Sequence, residues 1–323
     1  MSHNHIHRRT LLAAATAAAL PGSLFAQAGG YPNRPIELIV PAGAGGGTDV
    51  LARAFSEAAK KHLPQPVTVV NRPGASGMIG HGEMINAKPD GYKLAIVFAE
   101  IVIVPHLGLS KLSYEDFVPI ARLNADPAAI TVRADAPWNM IEEFLAASRA
   151  KPGEMKMGNS GPGSIWHLAH AALEDKVGVS YNPIPFSGAA PAVLALMGGH
   201  VDAVAVSPGE VATHVANGKL KTLAVMADRR LKGFEKVPTL KERGIDLSIG
   251  TWRGLAAPKG TPADVLAILT EATRKSADEA VLKDALDRLS MGQSYADAET
   301  FRAGMQRDNA VFKQLVTKLG IKG

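Results

Sequence analysis

One local pattern occurs twice in this chain and constrains its fold more than anything else in the sequence. It is an apolar strand end, a glycine-crowded loop and the start of a helix. The first copy, VPAGAGGGTDVLAR, runs from Val40 to Arg53; the second, GNSGPGSIWHL, runs from Gly158 to Leu168. Chains that alternate strand, loop and helix build α/β layers, with parallel strands and helices on both faces.

Around the first copy, Ile36 to Val40 reads as a strand, and Val50, Leu51, Ala54, Phe55 and Ala58 fall at helical spacing. Val67 to Val70 and Leu94 to Phe98 follow as strands, separated by the loop Asn71 to Gly77 and a short helix through Ala87. The order then repeats. A helix spans Ile141 to Arg149, a strand Lys156 to Gly158 and a helix Ile165 to Glu174, with strands near Tyr181 to Phe186 and Val201 to Val206. Asp126 to Arg133 and Leu220 to Ala227 read as extended segments passing between the two units, and Pro262 to Ala280 as a late helix returning to the first. The expectation is two α/β lobes with a cleft between them. Residues 29–126 and 227–323 form lobe 1, and 127–226 form lobe 2.

Each glycine loop presents a helix N-terminus, whose free N–H groups and dipole favour an anion. Nucleotide readings fail on the first loop. A dinucleotide fingerprint needs glycine where Thr48 stands and an acid near Val69 to Asn71, and a P-loop needs a lysine where Thr48-Asp49 follows Gly47. Asp49 in the first helical turn would also repel a polyphosphate, so a small carboxylate fits better, with Asp49 fixing the loop or meeting an amino group. A micromolar complex needs about −8 kcal/mol. One helix N-terminus supplies at most about 2 and a charge-assisted hydrogen bond about 1.5–3. Both loops must therefore close on one ligand, which suits a solute with a carboxylate at each end. Glu100 ends the strand Leu94 to Phe98, at the end where α/β ligands bind. It reads either as an exposed loop glutamate or as a cleft residue that favours a cationic or hydroxyl group.

The remaining signatures are exclusions. Net charge is +5 with no basic tract and only 5% aromatic residues, which argues against nucleic acid. With no cysteine there is no disulfide framework, thiolate metal site or lipid tether. Gly158-Asn159-Ser160-Gly161-Pro162 begins like a nucleophile elbow but has Pro162 in place of the second glycine. His167 and His170 have no HExxH or carboxylate companion, so no metal or other cofactor is expected. Trp252 reads as a loop residue that either lines the cleft or packs, and Arg72 as an exposed arginine. The N-terminus, with His7-Arg8-Arg9-Thr10-Leu11-Leu12 before an alanine-rich run and Ala26-Gln27-Ala28, has the order of an export signal over residues 1–28. It resembles a twin-arginine signal, with the general secretory route as the alternative. His3, His5 and His7 lie in the segment to be removed. The mature chain is expected in the periplasm, soluble, with no membrane insertion.

PAGAGGGTDVLAR (Pro41 to Arg53), NRPGASGMIG (Asn71 to Gly80), KPDGYKL (Lys88 to Leu94), GNSGPGSIWHL, FSGAAPAV (Phe186 to Val193), GGHVDAV (Gly198 to Val204), Val237-Pro238-Thr239 and WRGLAAPKGTP (Trp252 to Pro262) together resemble the Bug-type receptors. These are the extracytoplasmic binding proteins of tripartite tricarboxylate transporters, the TctC family. The resemblance implies a two-lobe type II periplasmic-binding-protein fold, α/β with two parallel-rich sheets, closing on a carboxylated solute. It implies a receptor rather than an enzyme, working as a monomer and handing its ligand to membrane transporter subunits. By motif position it places Ala44, Gly45, Gly46, Thr48 and Asp49 in one carboxylate-holding loop. Ser160, Gly161, Gly163, Ser164 and His167 fall in the other, with Phe186, Ser187, Gly188 and Asp202 as further cleft candidates. Ala42 replaces a frequent aromatic residue and Glu100 a small hydroxyl residue, and both departures argue against a plain tricarboxylate such as citrate. The readings from other classes are a serine hydrolase using Ser160 and His167, and a ligand sensor for a signalling kinase.

Overall fold

The computed structural model describes residues 30–320, so the export-signal reading and the histidines within it lie outside the described residues. The chain from Pro32 onward forms one compact unit. Its first part runs β1 (Ile36–Val40), α1 (Gly47–Ala59), β2 (Val67–Asn71), α2 (Met78–Ile85), β3 (Lys93–Phe98) and β4 (Phe117–Pro127). The middle part runs β5 (Ala129–Arg133), α3 (Ile141–Ala150), β6 (Lys156–Asn159), α4 (Ile165–Val177), β7 (Asn182–Pro185), α5 (Ala189–Met197), β8 (Ala203–Val206), α6 (Pro208–Ala216) and β9 (Leu220–Val225). The last part is β10 (Gly250–Pro258), α7 (Ala263–Asp278), α8 (Ala280–Arg288), β11 (Gln293–Asp297) and α9 (Ala298–Leu319).

Two sheets result: six strands ordered β11-β4-β10-β3-β1-β2, and five ordered β7-β6-β8-β5-β9. The expectation of parallel pairing holds where a strand is followed by its own helix, as in β1 with β2 and β3, and β6 with β7 and β8. It fails elsewhere. β10 runs antiparallel to both β3 and β4, β11 to β4, and β5 to both β8 and β9. The sheets are therefore mixed, because β4, β5 and β10 are long-range connectors rather than members of strand–helix–strand units.

The chain leaves the first sheet at Pro127 and enters the second at Ala129, with only the fully buried Ala128 between them. The segment after β9 stays with the second sheet, since Thr239 bridges Val225 and Arg243 pairs with Glu142 of α3 at 3.7 Å. The return is made at Ile249, beyond the Leu220 to Ala227 stretch expected to make it. Three backbone hydrogen bonds close a triangle at this junction: Ala128 N–H to Ile249 O at 2.8 Å, Ile249 N–H to Met226 O at 3.1 Å, and Met226 N–H to Ala128 O at 2.8 Å.

β10 also corrects the reading of Trp252. It lies in a strand rather than a loop, packs edge-on against Phe301 of α9 with ring centres 5.0 Å apart, and donates from Nε1 to Asp308 at 2.7 Å. Side chains alternate along a strand, so Trp252 and Gly254 face α9 while Arg253 between them faces away. A Cβ on Gly254 would sit 2.3 Å from Phe301 and 2.6 Å from the Ala121 carbonyl oxygen. Gly254→Ala is expected to lower the unfolding free energy by about 1–3 kcal/mol through overpacking. A urea titration that leaves the midpoint in place would contradict this.

Candidate functional site

A cavity of about 570 Å³ lies where the two sheets meet, lined from the loops after β1, β2, β3, β6 and β7 and by Glu210, Thr251 and Arg253. Most of these loops follow the carboxyl ends of parallel strands, the position at which open α/β sheets bind ligands. The first turns of α1, α4 and α5 all face it, through Gly46 to Thr48, Ser164 to Trp166, and Gly188 to Ala190.

Of the sequence-derived candidates, Ala44, Gly46, Thr48, Glu100, Ser160, Gly161, Ser164, Phe186, Ser187 and Gly188 line the cavity. The others stand elsewhere. Asp49 lies beneath the first loop, where its carboxylate accepts from Gly45 N–H at 2.9 Å, Arg53 Nε at 3.0 Å and Asn71 Nδ2 at 3.0 Å. Burial alone would raise this carboxyl, but the hydrogen bonds from Arg53, Gly45 and Asn71 outweigh it and hold the group below its usual range. Of the two roles read for Asp49, the geometry gives it the first, fixing the loop. Gly45 has φ +84°, a left-handed conformation that glycine adopts without a steric penalty, and so turns its N–H back to Asp49. Gly163 and His167 lie behind the second loop. Gly163 N–H donates to His167 Nδ1 at 3.2 Å, and Ser164 Oγ caps α4 by accepting from His167 N–H at 3.2 Å. Burial, with His170 adding to it, lowers the His167 imidazole to about 4, so the ring is neutral at neutral pH. Asp202 is exposed and accepts from Lys156 N–H at 2.8 Å. It precedes β8, so it sits at the opposite end of that strand from the cavity. Arg72 is exposed, as read from the sequence, and pairs with Glu83 at 2.9 Å.

The strongest polar feature of the cavity is one that sequence reasoning missed. Arg253 projects from β10 into a buried network, donating from Nε to Thr48 Oγ1 at 2.9 Å and from Nη1 to Asn124 at 2.8 Å and Asp126 at 2.6 Å. Its Nη2 lies 3.6 Å from Glu210. Glu210 belongs to α6 in the second sheet's lobe, yet both its oxygens accept from Gly47 N–H of α1, at 3.1 and 3.2 Å. A Cβ on Gly47 would stand 2.9 Å from Glu210 Oε1, so this glycine permits the approach.

Glu100 makes the converse crossing. It is buried rather than exposed, and from a 3-10 turn after β3 it accepts from Ile165 N–H, the first residue of α4, at 3.0 Å. Burial pushes its carboxyl up to about 7, against the opposing effects of the Ile165 N–H and the Arg253 charge. Burial likewise raises Glu210, with Arg253 and Gly47 N–H acting in the other direction. Each lobe therefore places a carboxylate on a helix start of the other. A third crossing bond runs from Ser76 Oγ to Pro162 O at 2.8 Å.

Among the described residues no group of histidines and acids is placed to hold a metal ion, and no helix is long and apolar enough to cross a membrane.

Comparison with known proteins agrees with this architecture. Residues 51–321 match the family described as tripartite tricarboxylate transporter family receptor, TctC. The crystal structure of a TctC solute binding protein from Polaromonas, with no ligand, is 61% identical, with 89% of this chain and 99% of that one covered and a TM-score of 0.69. The periplasmic binding protein BugD is 30% identical, covering 90% and 99%, with a TM-score of 0.86. MatC from Rhodopseudomonas palustris, solved with bound malate, is 27% identical, covering 88% and 100%, with a TM-score of 0.82. With the match running over most of its length, and with the two-lobe fold of these periplasmic binding proteins, the chain belongs to the TctC family of solute-binding receptors.

Proposed function

We propose that this receptor works in the periplasm, closes its two lobes on a small carboxylate, and delivers it to the membrane subunits of a tripartite tricarboxylate-type transporter. It does so as a monomer and without a cofactor. The ligand class is a mono- or dicarboxylate, aromatic and amino acids included. The observation that carries the reading is the cavity at the junction of the sheets, lined from both lobes by three helix starts and by six hydroxyl-bearing residues, Thr48, Ser76, Ser160, Ser164, Ser187 and Thr251. Donors split between lobes bind the closed form better than the open one, which is what a ligand needs to drive closure. MatC, a relative holding malate, supports a carboxylate as the ligand class. The unliganded Polaromonas receptor superposes less well than BugD although it is closer in sequence. Rigid lobes set at different angles would produce that pattern, which supports closure as the working motion.

The hydrolase reading is set aside. The family is one of receptors, and His167 spends Nδ1 on Gly163 N–H behind the loop that carries Ser160.

A thermal-shift screen of the purified protein against aliphatic, aromatic and amino carboxylates tests the proposal. A ligand at a hundred times its dissociation constant adds about 2.7 kcal/mol of stability. A broad panel in which no carboxylate raises the melting temperature would remove the ligand class.

A further inference from the structure

We infer that Glu210 is the specificity-determining residue of the cleft and that, with Glu100, it restricts the receptor to solutes carrying a single carboxylate on an apolar body. The inference rests on the carboxylate-receptor reading and narrows it.

The two helix starts that suit a ligand with a carboxylate at each end are both taken by the protein's own carboxylates. Glu210 holds Gly47 N–H with both oxygens, at 3.1 and 3.2 Å, and Glu100 holds Ile165 N–H at 3.0 Å. Each reaches across from the opposite lobe, so each is in place in the same closed arrangement that would grip a ligand. The cation that would otherwise attract a second carboxylate is also engaged. Arg253 has Asp126 at 2.6 Å and Glu210 at 3.6 Å. A dicarboxylate entering this cavity must expel Glu210 from Gly47 and from Arg253, or place its second charge beside Glu210 and Glu100 out of water, and both are unfavourable.

A single carboxylate meets neither obstacle. The first turn of α5, reached through Ser187 and Gly188, lines the same cavity, and its N-cap, Gly188, has no side chain to cap it. Much of the remaining wall is apolar, through Phe98, Val104, Leu109, Trp166, Phe186 and Pro191. A wall of that kind favours an aliphatic or aromatic body.

Hexanoate and adipate share a six-carbon chain and differ in the second carboxylate, so their affinities isolate its effect. Isothermal titration of the wild type is expected to give hexanoate at least tenfold tighter than adipate. In Glu210→Ala the seat on Gly47 is empty, and adipate is expected to gain at least tenfold relative to hexanoate. Glu210→Gln keeps an amide oxygen for Gly47 N–H but removes the charge, and should give a smaller gain. This variant decides the matter if the alanine form fails to fold. Adipate binding the wild type as tightly as hexanoate, or an adipate-to-hexanoate ratio unmoved in the folded variants, overturns the inference while leaving the carboxylate reading intact. If neither acid, nor any other carboxylate, binds wild type or variants, both fall together.

Discussion

Arg253→Met is expected to lower the unfolding free energy by about 3–5 kcal/mol, the range for breaking a buried ion pair from one side. The arginine has 3% of its side chain exposed and Asp126 has 2%, so neither charge can fall back on water. Methionine fills much of the volume but leaves Asp126 and Glu210 buried without their cation, and Thr48 Oγ1 and Asn124 without their donor. Arg253→Lys keeps the charge but not the planar fork that reaches Thr48, Asn124 and Asp126 together, so it should recover only part of the loss. Adding Asp126→Asn to Arg253→Met removes one stranded charge and should restore stability relative to the single variant. That non-additivity is the signature of a coupled network. Urea denaturation of these four proteins and of Asp126→Asn alone, which closes the cycle, measures it. A single-variant loss below about 1 kcal/mol would mean that the network is solvated and not buried.

Glu100→Gln is expected to change how stability depends on pH. The Glu100 carboxyl is raised from 4.5 to about 7 in the fold, so the folded state binds a proton that the unfolded state releases earlier. Its contribution to stability is fully present below pH 4.5 and is lost as pH rises through about 7. The slope in that window approaches about 1.4 kcal/mol per pH unit, which sums to about 3 kcal/mol. The groups acting against burial on Glu100 are the Ile165 N–H, its own backbone N–H and the Arg253 charge. Glutamine keeps an acceptor for Ile165 N–H and has no proton to lose. The variant should therefore gain on the wild type by about 3 kcal/mol between pH 4.5 and pH 8. Parallel stability curves for the two proteins would contradict the burial of a titrating Glu100.

The same residues show what the sequence discloses and what it hides. Strands β1 and β3 and helices α1 and α4 are legible because their periodicity is local and their ends carry glycine or serine. β10 is hidden, because Gly250, Arg253 and Gly254 break its apolar run and its pairing with β3 and β4 depends on partners far away in the chain. Glu210 is hidden for a related reason. An acid in the first turn of α6 looks like an ordinary response to the helix dipole, and nothing nearby tells that it reaches Gly47, 163 residues away. The signal that could have exposed it was Arg253 itself. A lone cation in an apolar segment that becomes a central strand needs buried acids, and Asp126 and Glu210 are those acids. Asp202 illustrates the reverse error, since motif position suggested the cleft while strand direction puts it at the far end of β8.

The reciprocal reach of Glu100 and Glu210 also bears on how such receptors diversify. Each lobe carries the acid that completes the other lobe's helix start, so neither is a self-sufficient module. A chimera joining the first lobe of this protein to the second lobe of a relative that lacks an acid at the Glu210 position would leave the Gly47 N–H bare. It would also keep a Glu100 aimed at a helix start shaped for something else. Recombination between relatives would then alter ligand choice at the seam in one step, without a single substitution in either half.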